Sequence, residues 1–175
     1  MGDPLRLSGA SIAAAVLAGT AGYLVIEDQI RQLGPLPLER AGETSTVVLD
    51  RNGDLLRAFT TKDGRWRLPV SHEVVDERYL DLLIAFEDKR FRYHGGIDWR
   101  AFARAGWQLL VNGRIVSGAS TLTMQVARLL DERHGRAFLT KWRQMLRAVQ
   151  LERHLGKDEI LDLYLRLAPF GGNLE

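Results

Sequence analysis

Three stretches of the chain bring together residue types that could do chemistry. The first is Glu87-Asp88-Lys89-Arg90-Phe91-Arg92-Tyr93-His94-Gly95-Gly96. Glu87 closes the apolar run Leu82-Leu83-Ile84-Ala85-Phe86 and shares a helix face with Leu80, Leu83 and Ile84 at i, i+3, i+4, i+7 spacing. A carboxylate on a buried face is desolvated unless paired, which raises its pKa toward the range useful for acid or base work. His94 comes two helical turns later, so a continued helix would aim both groups at one cleft. A Glu paired with Lys89, Arg90 or a capping donor, beside an ordinary helix-end His, fits the same residues equally well.

The second stretch is Ser117-Gly118-Ala119-Ser120-Thr121-Leu122-Thr123. Small residues followed by hydroxyls at a helix start leave backbone N–H groups free for an anion such as phosphate or pyrophosphate. Gln125 and Arg128 fall on the next turns and could reach the same ligand. A plain Ser/Thr N-cap is the commoner use of this pattern. The third stretch is a cationic helix with Arg136, Lys141, Arg143, Gln144, Arg147 and Arg153. Arg136, Arg143 and Arg147 form one stripe with Lys141 and Gln144 beside it, a pattern that most often is a solvated face.

Other chemistries lack their signatures. No H-E-x-x-H, P-loop, G-x-S-x-G or S-x-x-K occurs, and none of the 175 residues is cysteine. Disulfides, thiolate metal sites and Cys nucleophiles are thereby excluded, and a metal site made only of protein ligands is not indicated. The net charge of +2 gives no reason to expect nucleic acid. The charge is uneven, however: residues 1–83 carry 9 Lys and Arg against 12 Asp and Glu, whereas residues 84–175 carry 15 against 10. A basic second half suits an anionic ligand or membrane surface.

The elements that must position these residues are set by periodicity. Leu7 to Ile26 is uncharged, flanked by Arg6 and Glu27, and as a helix spans about 30 Å, the bilayer hydrocarbon thickness. We expect a cytoplasmic tail over 1–6, an uncleaved transmembrane anchor over 7–26, and the remainder outside the cytoplasm. Residues 27–45 read as a juxtamembrane linker that Pro35, Pro37 and Gly42 keep from forming a long helix. A small β element over 46–70 is expected to pack on the domain, with a hairpin turning at Asn52-Gly53 and a third strand at Trp66-Arg67-Leu68. Residues 71–175 read as helical. Helices start near Val74, after Asp98 as N-cap, near Ser120, near Arg136 and at Asp158, with Phe102, Ala105 and Leu109 inward on the second. The fold class is mainly α.

Taken together, these runs resemble the peptidoglycan glycosyltransferases of glycosyltransferase family 51, the N-terminal catalytic domain of class A penicillin-binding proteins. E-D-x-x-F-x-x-H-x-G at Glu87, Asp88, Phe91, His94 and Gly96 resembles the family's first motif. G-A-S-T-L-T-x-Q at Gly118–Thr123 and Gln125 resembles the second. Lys141 resembles part of the third, and Lys157–Leu165 the family segment beyond it. The ending Ala168–Glu175 is similar to the penicillin-binding protein 1C branch. The resemblance covers residues 46–175 and implies a lysozyme-like glycosyltransferase fold with a membrane-facing subdomain. It implies an enzyme of the bacterial inner membrane, single-pass, with its catalytic domain on the periplasmic side, polymerising lipid II onto a growing glycan strand. Glu87 would be the general base. Asp88, His94, Ser120, Thr121, Gln125, Arg128, Arg136 and Lys141 would bind substrate, with Mg²⁺ or another divalent cation assisting.

Three departures qualify the resemblance. Gln144 stands where the family usually has a second catalytic Glu, and an amide cannot protonate a leaving group or bind a metal as a carboxylate does. Met124 replaces a frequent Gln, and Thr140 a frequent Arg. The sequence also stops inside a motif, so it reads as the N-terminal part of a glycosyltransferase domain, with a C-terminal transpeptidase domain expected in the parent chain. The competing functions are a catalytically weak, membrane-anchored lipid II-binding protein and a lysozyme-like lytic enzyme using Glu87 as general acid.

Overall fold

The computed structural model describes residues 9–114, 118–131 and 138–171, so Arg136, Ser117 and the last residues of the 168–175 motif lie outside the described residues. The protein is mainly α with one two-stranded sheet. It divides into two compact units, which meet at Pro35 and Leu36.

The first unit is helix α1 (Gly9–Gln32). Among the described residues it is the one helix long and apolar enough to cross a membrane by length and composition. Val16, Leu17, Tyr23 and Leu24 on it are exposed, whereas Ile30 near its end is buried. Helix α1 continues past Glu27 to Gln32. Glu27–Gln32 are good helix formers, Gln32 Nε2 donates to Asp28 Oδ2 at 2.7 Å, and the first breaker arrives only at Gly34, with φ 73°.

The second unit opens with a short helix α2 (Glu39–Gly42) and the hairpin β1 (Thr46–Leu49) and β2 (Leu55–Phe59). The strands pair antiparallel, Thr46 with Phe59 through Leu49 with Leu55, and a bulge falls between Val48 and Leu49. Gly53 supplies the positive φ of the turn, 89°, and Asp50 Oδ1 accepts from Asn52 N and Asp54 N at 2.7 and 2.9 Å. Two sequence expectations fail here. Every strand residue except Val47 and Ala58 is exposed, so among the described residues the helices leave the sheet largely uncovered. Trp66–Leu68 is not a strand: Arg67 N–H donates to the Ser45 hydroxyl at 2.9 Å instead of to a strand neighbour. The fully buried Arg67 guanidinium donates to Glu43 C=O at 3.1 Å and faces Asp63 Oδ2 at 3.5 Å.

Helix α3 (Glu77–Glu87) is capped by Asp76, and α4 (Trp99–Asn112) by Asp98, whose side chain accepts from Arg100 N and Ala101 N. Gly113, at φ 64°, ends α4 as the Asn-Gly pair predicts. Helices α5 (Leu122–Leu130), α6 (Phe138–His154) and α7 (Lys157–Leu167) build the core. Leu122, Val126, Leu151, Ile160, Leu161 and Leu167 are buried among them, with Phe91. The inward face expected for α4 is not found: Phe102 and Leu109 are exposed, as are Trp99, Trp107 and Leu110, and no α4 residue is buried. The helix is amphipathic as read, but among the described residues nothing covers its apolar side.

A single-turn 3-10 segment (His72–Val74) is tied to α7. Asp162 Oδ1 accepts from His72 N at 2.6 Å and lies 2.8 Å from His72 Nδ1. The hydrogen bond to Asp162, and then that carboxylate's charge, hold the His72 pKa above its ordinary value. The folded state therefore keeps this proton at a pH where the unfolded chain has lost it. The contribution is complete below about pH 6.5, the unperturbed His value, and is lost as pH rises through the raised folded value. The gap in Tm between wild type and Asp162→Asn should be widest at acidic pH and narrow across that window. A gap constant with pH would contradict the pairing.

Candidate active site

The site is built where the loop after α3 meets the start of α5. Helix α3 stops at Glu87 because Asp88 turns to an extended conformation, φ −158°. The chain then coils through Phe91–Tyr93 and returns at Gly95-Gly96. Asp88 is the bolt of this joint. It is buried, and its Oδ2 accepts from Leu122 N at 2.9 Å and from His94 Nε2 at 2.9 Å. The hydrogen-bond network assigns His94 Nε2 as the donor and Asp88 Oδ2 as the acceptor of this pair.

Thr121 fastens the same loop from the other side. It is the N-cap of α5, its Oγ1 accepting from Met124 N at 3.1 Å and donating to Gly96 C=O at 2.6 Å. Gly96 sits at φ 91°, and a Cβ there would lie 2.8 Å from the Ala148 carbonyl carbon and oxygen. Only glycine lets the loop rest this closely on the α6 backbone.

These anchors release Glu87 and Ser120 to face a cleft of about 240 Å³. It is lined by Glu87 to Arg90 from the first motif, Asp98, Ala101 and Arg104 from the start of α4, and Gly118 to Thr121 from the second. Glu87 is exposed, and its Oε2 accepts from Gln125 Nε2 at 2.7 Å. Lys141 Nζ donates to Ser120 Oγ at 2.6 Å. Desolvation, and then the neighbouring positive charge of Arg128, lower the Lys141 pKa. The neighbouring positive charges of Lys141 and Arg128 suit an anion. Gln144 lies half-buried one helical turn beyond Lys141 on α6.

Several sequence expectations are corrected by this geometry. Glu87 is not on a buried face: Leu83 and Ile84 reach the core edge, but the end of α3 runs past it, and Phe86 is 93% exposed. Glu87 and His94 do not share a cleft, because the helix does not continue; the His94 side chain is buried against Asp88. Two of the first α5 N–H groups are already taken: Asp88 accepts from Leu122 N and Thr121 from Met124 N. Asp88, His94 and the Thr121 hydroxyl thus tie the loop to α5, while Ser120 and Lys141 pair with each other and Gln125 pairs with Glu87. Among the described residues of the basic stripe, Arg143 is half-buried and Arg147 does not face solvent. Arg147 is buried, donates to Gln150 Oε1 at 2.7 Å, and burial lowers its pKa. The sequence reading missed Arg90, which donates to the N-cap Asp98 at 3.3 Å, and Arg104 on the cleft wall. Asp98 carried a signal as a cap, but its second partner comes only with the folded chain.

Among the described residues no three His, Asp or Glu side chains gather as metal ligands would.

Comparison with known proteins gives consistent matches. A family model described as Transglycosylase matches residues 52–175. Penicillin-binding protein 1C of Escherichia coli (strain K12) is 52% identical over 144 residues, 82% of this chain and 18% of the relative. Penicillin-binding protein 1F of Bacillus subtilis (strain 168) is 36% identical over 127 residues, 73% of this chain and 17% of the relative. Penicillin-binding protein 1A of Pseudomonas aeruginosa is 40% identical over 124 residues, 71% of this chain and 15% of the relative. The chain spans less than a fifth of the length of these relatives.

Proposed function

The chain belongs to the transglycosylase family, and from that membership we propose that it is a peptidoglycan glycosyltransferase that polymerises lipid II. The 4-hydroxyl of the acceptor sugar attacks C1 of the lipid-linked growing strand. The new C1–O bond forms as the bond from C1 to the pyrophosphate oxygen breaks. Glu87 takes the hydroxyl proton, and undecaprenyl pyrophosphate leaves with the bonding electron pair. Glu87 in an open cleft beside the Ser120–Lys141 pair is the observation that carries this reading. The base needs access to an incoming hydroxyl, and the leaving group needs fixed positive charge. Gln125 orients Glu87 through its side-chain amide. Lys141 and Arg128 meet the developing charge, and Ser120 adds a hydroxyl donor. Arg136 is proposed as a further donor contact on the strength of the family resemblance.

The described residues do not offer Mg²⁺ a protein-only site. A divalent cation would arrive with the substrate pyrophosphate, where it would neutralise charge, and no step above depends on it. Helix α1 would anchor the protein in the cytoplasmic membrane with the second unit outside the cytoplasm. The exposed apolar side of α4 would lie against lipid, where a lipid-linked substrate enters. The penicillin-binding names of the relatives support a transpeptidase domain in the same polypeptide.

Gln144 favours a second reading, binding without turnover, because an amide can hold a substrate oxygen but cannot donate a proton to a leaving group. The two are separated by polymer formation from lipid II in detergent by wild type and Gln144→Glu. Polymerisation predicts product from the wild type, and a faster rate in Gln144→Glu by up to about 10²-fold, the lower range for an added acid–base group. Product from Gln144→Glu alone would establish that the native chain only binds.

A further inference from the structure

Behind the cleft, a charged pair that the proposed reaction does not use holds the loop after α3 in place. Lys157, the first residue of α7, donates to His94 C=O and to Glu152 Oε1, both at 2.6 Å. Its ammonium also lies 4.5 Å from the ring centre of the fully buried Phe91. Glu152, near the end of α6, accepts from the Thr123 hydroxyl of α5 at 2.6 Å through the same oxygen. The two side chains are 20% and 9% exposed. A carboxylate, a carbonyl and an aromatic face together surround this ammonium.

We propose that Lys157 and Glu152 are positioning residues, which set the distance between Glu87 and the Ser120–Lys141 pair by clamping residues 88–98 to α5. Each partner belongs to a different element: Thr123 to α5, Glu152 to α6, Lys157 to α7, His94 and Phe91 to the loop. Thr123 lies in the same helical turn as the Thr121 cap, and His94 carries the Nε2–H that seats Asp88. Removing the ammonium frees the loop from the rear while leaving every group that faces the cleft in the chain. A misplacement of the base by about 1 Å costs about 10²-fold in rate with little change in binding.

The rate half of this inference rests on Glu87 as base, so the test pairs activity with a readout independent of it. In the full-length protein in detergent, amide hydrogen exchange of residues 88–98 is monitored for wild type, Lys157→Met, Lys157→Arg and Glu152→Gln. Steady-state polymerisation of lipid II is measured alongside. Lys157→Met should speed exchange in the loop by about tenfold or more, a local opening rather than a global one, with α5 to α7 as protected as before. Its kcat should fall about 10²-fold with KM within a factor of about two, and Lys157→Arg should recover most of the loss. Should Lys157→Met not fold, Glu152→Gln carries the test, since it removes the countercharge but keeps an acceptor oxygen for Thr123. Unchanged loop exchange in the variant that folds, or a kcat loss that only tracks global stability, overturns the proposal. Activity retained by Glu87→Gln would instead remove the base assignment and leave the exchange result to stand or fall alone.

Discussion

Glu87→Gln is expected to lower the rate of glycan polymerisation by about 10²- to 10⁴-fold, the range for loss of a positioned general base, with little change in substrate affinity. The substitution is nearly isosteric, and the amide oxygen can still accept from Gln125, whose Nε2 lies 2.7 Å from Glu87 Oε2 in the native chain. What disappears is the capacity to take a proton. The variant should fold as the wild type does, because Glu87 is exposed and ends its helix rather than supporting the core. A single-turnover assay separates the effects: a drop in kcat with KM preserved locates the loss in the chemical step. A variant with wild-type kcat would remove Glu87 from the reaction.

The second large effect is on stability. Asp88→Ala leaves two buried donors, Leu122 N–H and the His94 Nε2–H, without their acceptor. At about 1–3 kcal/mol for each orphaned group, the fold should lose about 2–6 kcal/mol. Asp88→Asn separates this from loss of charge. Both donors reach the same oxygen, Oδ2, and an amide oxygen has two lone pairs, so Asn can satisfy both. Chemical denaturation should rank wild type, then Asn, then Ala, with Asn losing less than half as much as Ala. Equal losses for the two would show that the hydrogen-bonded joint is not what holds the first motif to α5. Because that joint also places Glu87, the Ala variant should lose polymerisation even at temperatures where it remains folded.

The sequence was most informative wherever a structural decision is made within a few residues. The Asp98 cap, the Gly113 stop, the Asn52-Gly53 turn and the Thr121 cap are each settled by local dihedral preferences and hydrogen bonds. Burial was harder to read. The spacing of Phe102, Ala105 and Leu109 does describe an apolar face, but periodicity cannot say what covers it, and among the described residues nothing does. Arg147 shows the converse. Its charge suggested a solvated stripe, yet the packing of α6 against α5 buries it.

The site divides in the same way. Its residue types and their grouping into two motifs were legible, and both motifs line one cleft. Their division of labour was not. Asp88, His94 and Thr121 turn inward as anchors because the loop between α3 and α4 doubles back onto α5 and α6. That path depends on Gly96 resting against the Ala148 backbone, a contact between residues far apart in the chain. Glu87 lacks the buried setting that its apolar neighbours suggest; it faces the cleft beside Gln125 instead.

The central claim is that this cleft joins sugars with expulsion of a lipid pyrophosphate rather than cleaving glycan. The most direct measurement tracks both products of the full-length wild-type protein in detergent. Lipid II labelled in its pyrophosphate and, separately, preformed glycan strands serve as substrates. The account predicts glycan polymer, released undecaprenyl pyrophosphate in step with each sugar transfer, and no new reducing ends from the strands. New reducing ends from the strands, with lipid II left intact, would contradict it and make Glu87 the acid of a lytic enzyme.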